Sequence, residues 1–413
     1  MSSVGTVTGR VEHGALDFDQ RPLLVFWETT RACLLACKHC RASAMAAPLD
    51  GELTPEQGHA LIAQVAAFGK PYPILVLTGG DVLMRPDAYE LATAASSIGI
   101  PTCMSPSVTP MLTTTAVVRV VETGVRAVSI SLDGAQAATH EGIRGIAGHF
   151  DRTLEAIRSL VEAGLRVQVN TTVMKCNVEE LAEIAALVAA LGVQMWEVFF
   201  LVGVGRGAQL AELDPRTNEE VCHFLFDASR HGFVVRTVEA PFFRRIARWR
   251  REREEACGRP ETLREVHAAF GLGDTYARLR SRLDEVLGAG RRRTAAHTVS
   301  TRDGKGIIFI AHDGEVYPAG FLPLGLGNVN ERSLVEIYRD SPALRQIRAG
   351  AFSGRCGVCE YRDLCGGSRA RAFVSSGDPL GEDPGCPYEP QVPFPAPLSH
   401  AAESGLSRNQ KPD

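Results

Sequence analysis

Six times between about residue 20 and residue 235 the chain alternates a short β-rich run with an amphipathic stretch, and nothing else in it limits the fold so sharply. The strand candidates are Leu23–Trp27, Ile74–Leu77, Pro101–Met104, Ala127–Ser131, Val167–Thr172 and Trp196–Phe200. Each is followed by a helical pattern, and strands joined through a helix pair in parallel. Thr54-Pro55-Glu56-Gln57 reads as an N-cap, a first-turn proline and a capping-box partner, opening a helix to about Phe68. Asn177-Val-Glu-Glu180 is expected to do the same for a helix to about Leu191. Six units rather than eight predict an α/β fold with an open, partial (β/α)6 TIM-type barrel. Its chemistry would lie at the C-terminal ends of the strands.

The rest of the chain sorts around that barrel. Its 413 residues suffice for a barrel and a smaller domain, and 45% hydrophobic with 22% charged residues is ordinary for a soluble protein. No run reaches the ~18 to 20 apolar residues of a membrane span. The N-terminus lacks a basic region followed by an apolar one, so a cytoplasmic location is expected. There, 11 cysteines point to metal or redox chemistry rather than disulfides. A net charge of −4 gives no pull towards nucleic acid, and neither nucleic acid nor a membrane is expected as a partner. Residues 1–20 read as a lead-in, 21–235 as the barrel and 236–300 as a charged helical connector. Residues 301–393 read as a small α+β cysteine-rich domain, and the polar stretch 394–413 as a disordered tail. In the connector, Phe243 to Glu255 carries both signs of charge. Interleaved Glu252, Glu254 and Glu255 favour a solvated, ion-paired helix over an anion-binding one.

The first strand leads into Thr30-Arg-Ala-Cys33-Leu-Leu-Ala-Cys37-Lys-His-Cys40. Three close thiols with no fourth nearby suit an iron–sulfur cluster that keeps one iron open, whereas a structural zinc closes its shell. Four further cysteines, Cys356, Cys359, Cys365 and Cys386, lie in the C-terminal unit, where spacing alone allows zinc or a [4Fe–4S] cluster. Cys103, Cys176, Cys222 and Cys257 lack partners at ligand spacing and read as free thiols.

The C-x3-C-x2-C spacing of Cys33, Cys37 and Cys40 resembles the radical S-adenosylmethionine (SAM) superfamily. That resemblance implies a [4Fe–4S] cluster whose open iron chelates SAM and whose electron cleaves it to a 5′-deoxyadenosyl radical. Those three cysteines would then be the catalytic ligands. Thr78-Gly79-Gly80-Asp81 after the second strand resembles the family's glycine-rich SAM-amine motif, placing Gly79, Gly80 and Asp81 at the cofactor. By the same likeness Ser131 and Asn170 at strand ends would face the ribose, and Arg144 a carboxylate; a surface ion pair is the plainer reading of Arg144. Leu201-Val202-Gly203-Val204-Gly205 is similar to the stretch bordering adenine, which brings in Val202, and His39 stands where an aromatic residue often meets that ring.

Cys356-Gly-Val-Cys359-x5-Cys365-Gly-Gly-Ser-Arg-Ala-Arg and the later Gly-Cys386-Pro resemble the SPASM domain, implying one auxiliary [4Fe–4S] cluster. Ala319 and Ser368 stand where relatives with more clusters have cysteine, so a complete second auxiliary cluster is not expected. Trp27-Glu-Thr-Thr-Arg-Ala-Cys33 and Cys365-Gly-Gly-Ser-Arg-Ala-Arg look like the branch of the alternative heme synthase and the heme d1 maturase. That implies oxidative chemistry on tetrapyrrole propionates, with a flavodoxin- or ferredoxin-type reductant. Arg206, Arg244, Arg245, Arg369 and Arg371 are candidate carboxylate binders, or ordinary surface cations. The neighbouring branch modifies a ribosomally made peptide substrate, and a non-catalytic iron–sulfur scaffold is the alternative of another class.

Overall fold

The computed structural model describes residues 17–291, 293–296 and 301–391. The expected tail 394–413, and the expected lead-in as far as residue 16, lie outside the described residues. Residues 17–20 form a turn held from the far end of the chain, where Arg348 pairs with Asp19 at 2.8 Å and the Tyr338 hydroxyl donates to the Phe18 carbonyl at 2.7 Å.

All six expected strands form. They are β1 (Leu24–Glu28), β2 (Ile74–Thr78), β3 (Thr102–Met104), β4 (Ala127–Ser131), β5 (Arg166–Val173) and β6 (Met195–Phe200). The structure adds β7 (Val234–Val238), β8 (Ile307–Ile310) and β9 (Val316–Tyr317), giving a nine-stranded sheet in the order β7-β6-β5-β4-β3-β2-β1-β8-β9. Only β9 runs antiparallel, against β8. The expected barrel boundary at residue 235 therefore falls inside β7. The curled sheet does not end at β1 either: β8 of the C-terminal unit lies parallel to it, from Leu24 opposite Ile307 to Trp27 opposite Ile310.

Alternation along the strands decides which face looks where. Val25, Trp27, Leu75, Leu77, Val128, Ile130, Val167, Val169, Trp196, Val198 and Val235 are buried under the surrounding helices. Their neighbours Phe26, Val76, Ser129, Ser131, Gln168, Asn170, Glu197 and Arg236 are half-buried and line the concave side. Helix Pro55–Ala66 starts with the predicted capping box, Thr54 and Gln57 satisfying each other's backbone N–H groups. The second expected box does not form. A 3-10 turn, Val178–Glu180, precedes helix Leu181–Ala190, and Asn177 instead donates to the carbonyls of Asp133 (2.8 Å) and Thr172 (2.9 Å).

The charged helix Phe243–Cys257 is only in part the solvated, ion-paired connector its composition predicts: exposed Arg248 pairs with Glu252 one turn on at 2.8 Å, but the other face is buried. Arg245, Arg250 and Arg253 are buried beside Phe243, Ile246 and Ala247. Their partners lie on other elements: Glu219 at 2.6 Å from Arg245, Asp227 at 2.7 Å from Arg250 and Glu261 at 2.7 Å from Arg253. Asp227 also accepts from Tyr276; burial works against its charge, yet Arg250 and Arg280 hold it down at about 2. Removing one member of such a pair strands a buried charge and costs about 3–5 kcal/mol.

Candidate active site at the cysteine loop

Leaving β1, the chain turns through a loop that carries Cys33, Cys37 and Cys40, the first two buried. Its shape comes from side chains reaching back to its own backbone. Glu52 accepts from the Thr30 hydroxyl (2.9 Å) and the Arg31 N–H (2.8 Å). Arg206, in the loop after β6, donates to the carbonyls of Cys37 (2.9 Å) and Ala44 (3.1 Å), while its own N–H meets the Cys40 carbonyl at 3.0 Å. Glu28 at the end of β1 pairs with Arg41 at 2.9 Å and with His312 at 3.4 Å, the latter in the C-terminal unit. The loop is clamped from three sides.

Gly79 and Gly80 lie at the end of β2, and their lack of a side chain serves this same loop. The Gly80 N–H donates to the Thr30 carbonyl at 2.8 Å, and the Asp81 N–H to that of Ala32 at 2.7 Å. A Cβ at Gly79 would stand 2.6 Å from the Thr30 oxygen, and one at Gly80 would overlap the Ala32 oxygen. Asp81 is turned inward. Its buried carboxylate accepts from Thr109 (2.6 Å), Leu83 N–H (3.1 Å) and Ser107 N–H (3.2 Å), so it fixes the loop after β3; burial raises its carboxyl.

Beneath Cys37 sits a buried polar cluster. Asp133, after β4, is fully buried and meets Arg144 at 2.5 Å and His39 at 3.5 Å. Burial opposes the Asp133 charge, but Arg144 and then His39 outweigh it and keep the carboxylate low. Arg144 in turn aims a guanidinium nitrogen at the Cys37 sulfur, 3.5 Å away. It is not a surface residue, and a buried carboxylate already pairs with it. His140 accepts from the Asp133 N–H on Nδ1 (3.1 Å), which assigns its proton to Nε2; that N–H then donates to His149 Nδ1 at 2.8 Å. Burial pushes His140 down to about 3 and His39 and His149 to about 4, so all three rings are neutral near pH 7.

The strand-end candidates meet on the concave face. Ser131, Asn170, Glu197 and Arg236 stand opposite one another in a row across β4, β5, β6 and β7. Gln168 donates to Asn170 (2.7 Å) and to Glu197 (2.8 Å). Val202 is placed differently: its side chain is buried against Leu322, Ile347 and Ala370 of the C-terminal unit. Gln168, Glu197 and Arg236 were not among the sequence candidates; their signal is a polar side chain at a concave position, and for Arg236 it lies just past the expected end of the barrel.

Cys356, Cys359, Cys365 and Cys386 border one cavity together with Arg245, Gly366 and Gly367. The donors around them suit thiolates. N–H groups of Gly367 and Asp383 point at the sulfurs of Cys365 and Cys356, both at 3.4 Å, and Arg369 and Arg245 approach Cys356 and Cys386 at 3.6 and 4.0 Å. Burial pushes Arg244 and Arg302 down to about 10, even with Cys365 near both, as befits buried cations that lack a carboxylate of their own. An iron–sulfur cluster with four thiolates is an anion, and this donor set fits it. Likewise Arg144 and the Leu35 N–H, 3.4 Å from the Cys33 sulfur, fit one at the first loop. Among the described residues no three of His, Cys, Asp or Glu converge on a single metal ion.

The expected carboxylate binders are otherwise employed. Arg206 is the loop clamp; Arg244 donates to the carbonyls of Leu364 and Thr301; Arg245 holds Glu219; Arg369 bonds the carbonyls of Gly381 (2.6 Å) and Pro379 (3.1 Å). Arg371 pairs with Glu212 (3.1 Å) and Asp383 (3.2 Å). Ser368, at a position for a further ligand, donates to Glu239 and caps helix Arg369–Ser376, and Ala319 is buried.

The sequence pattern of the Radical SAM superfamily matches residues 27–188, and that of SPASM, an iron–sulfur cluster-binding domain, matches residues 302–361. Over 372 residues the chain is 37% identical to the AdoMet-dependent heme synthase of Oleidesulfovibrio alaskensis, covering 89% of this chain and 88% of that protein. With the AdoMet-dependent heme synthase of Methanosarcina barkeri the identity is 34% over 371 residues, covering 89% of this chain and 97% of that one. Among solved structures, Streptococcus suis SuiB bound to the precursor peptide SuiA superposes with a TM-score of 0.64 at 16% identity, over 89% of this chain and 76% of that chain. That last likeness is one of fold.

Proposed function

Because the chain belongs to the radical SAM superfamily and carries a SPASM iron–sulfur domain, we propose that it oxidatively modifies the propionate side chains of an iron tetrapyrrole. The carrying observation is the 37% identity to an AdoMet-dependent heme synthase over nearly the whole of both chains. The peptide-bound neighbour, at 16% identity, says nothing about substrate.

Cys33, Cys37 and Cys40 would hold the cluster that binds SAM, and Cys356, Cys359, Cys365 and Cys386 an auxiliary one. Bound there, the first cluster and SAM would supply the radical chemistry that begins with hydrogen abstraction from the substrate. The chain's own residues give that chemistry its geometry. Glu52, Arg206 and the Glu28–Arg41 pair fix the loop that presents the thiols. Arg144 places positive charge beside the Cys37 sulfur, where an anionic cluster would need it. Ser131 and Asn170, side by side on the concave face, offer a hydroxyl and an amide to the ribose. No helix among the described residues is long and apolar enough to cross a membrane. Work in the cytoplasm with a flavodoxin- or ferredoxin-type reductant completes the reading.

The test is anaerobic reconstitution with iron, sulfide, SAM and dithionite. An iron porphyrin bearing free propionates should raise 5′-deoxyadenosine formation several-fold and lose mass at the propionates. A panel of iron tetrapyrroles that leaves both readings at background would overturn the substrate.

A further inference from the structure

On the concave wall of the half-barrel one cation has no ion pair among the described residues. Arg236 lies in the middle of β7, with Phe233 and Val235 buried beneath the helices and the arginine on the opposite, concave side. Among the described residues its buried Nε has no hydrogen-bond partner, and no carboxylate stands within ion-pair distance of its guanidinium. The contrast is informative. Arg144, Arg245, Arg250 and Arg371 each hold a carboxylate at 3.2 Å or less. Glu197, opposite Arg236 on β6, feels its charge but hydrogen-bonds Gln168 at 2.8 Å, and burial raises its carboxyl, so it is a weak countercharge. An unpaired, partly buried guanidinium costs folding energy, and it is kept where a ligand supplies the missing anion.

The surrounding wall says what kind of ligand. On the β1–β2 side of the hollow the concave residues are apolar, Phe26 and Val76. On the β4–β7 side a band of polar residues, Ser129, Gln168, Glu197 and Arg236, crosses the face between apolar Met195 and Phe199. A flat apolar body with an anionic edge matches that division, and the planar fork of arginine matches a carboxylate through two parallel hydrogen bonds. We propose that Arg236 anchors a propionate carboxylate of the tetrapyrrole inside the half-barrel, with Gln168 and Glu197 holding the floor of the anchor site. The inference rests on the tetrapyrrole reading above.

Optical titration of the holoenzyme tests it, using an iron porphyrin with free propionates and the same porphyrin as its propionate methyl ester. The wild type should prefer the free acid by about tenfold or more in Kd, one bidentate pair being worth about 1.4 kcal/mol or more. Arg236→Gln should bind both forms alike, and Arg236→Lys should recover part of the preference. Iron content and thermal unfolding identify folded variants, and a purely structural role would weaken both forms equally. If the wild type prefers the acid and Arg236→Gln still does, the anchor is wrong and the substrate reading survives. If the wild type binds both forms equally, the anchor is again wrong. If it binds neither, the substrate reading fails and this inference with it.

Discussion

A single guanidinium, that of Arg144, connects a buried carboxylate to the sulfur of Cys37, so Asp133 and any cluster held there would share one countercharge. Replacing Cys37 with Ala removes a cluster ligand and leaves that charge with Asp133 alone. The expected outcome is loss of 5′-deoxyadenosine formation by at least about 100-fold, beyond the 10- to 100-fold typical of an outer-shell partner. Chromatography of reconstituted variant reactions measures it; activity near wild type would contradict the ligand assignment. His140 and His149 make the same neighbourhood sensitive to pH. Folded, they titrate at about 3 and about 4, whereas an unfolded histidine titrates near ~6.5. Between those values the unfolded chain binds protons that the folded chain refuses. The stability these rings contribute is therefore complete above about pH 6.5 and is lost on acidification, by up to about 1.4 kcal/mol per pH unit for each ring. Urea midpoints should fall between about pH 7.5 and about pH 5.5, and His149→Gln should flatten that fall. An equally steep fall in the variant would count against the neutral buried ring.

Between elements, the decisive contact is that of the β2 turn with the cysteine loop. Gly80→Ala would push a methyl into the Ala32 carbonyl, with a cost of about 1–3 kcal/mol taken by the loop rather than by the buried strands. The barrel should persist by circular dichroism while reconstituted iron falls from about eight to about four atoms per chain. Full iron loading would show that the loop tolerates the shift. Much of this level was legible in the sequence. Strands such as Ala127–Ser131 and Trp196–Phe200 alternate core and hollow, and that period is local. The identity of Gly79 and Gly80 was legible too, but not their reason, which is a neighbour some fifty residues away in sequence. The strand Val234–Val238 was missed because Arg236 and Thr237 interrupt its apolar run. Arg245, Arg250 and Arg253 of helix Phe243–Cys257 read as solvated because carboxylates that hold them lie on other elements. Pairings of that range leave no local pattern.

At the scale of the whole molecule the C-terminal unit is built into the barrel. β8 extends the sheet beside β1, and the Gln64 side chain of helix Pro55–Ala66 bonds both Val329 (3.1 Å) and Leu334 (2.7 Å). The thiols available number three in the first loop and four in the second site. Iron and sulfide assays should therefore find two [4Fe–4S] clusters, about eight irons per chain. A count near twelve would require ligands that Ala319 and Ser368 do not provide. The pairing of β8 with β1 also sets an order of events during synthesis. The outer edge of β1 stays unpaired until residues 307–310 have left the ribosome, roughly 280 residues later, which takes about 15 to 60 s at typical translation speeds. His312, which clasps Glu28, arrives later still. The nascent chain thus carries an open edge and a half-held thiol loop through most of its elongation, and a settled metal site at that loop belongs to the stage after β8 and His312 have emerged.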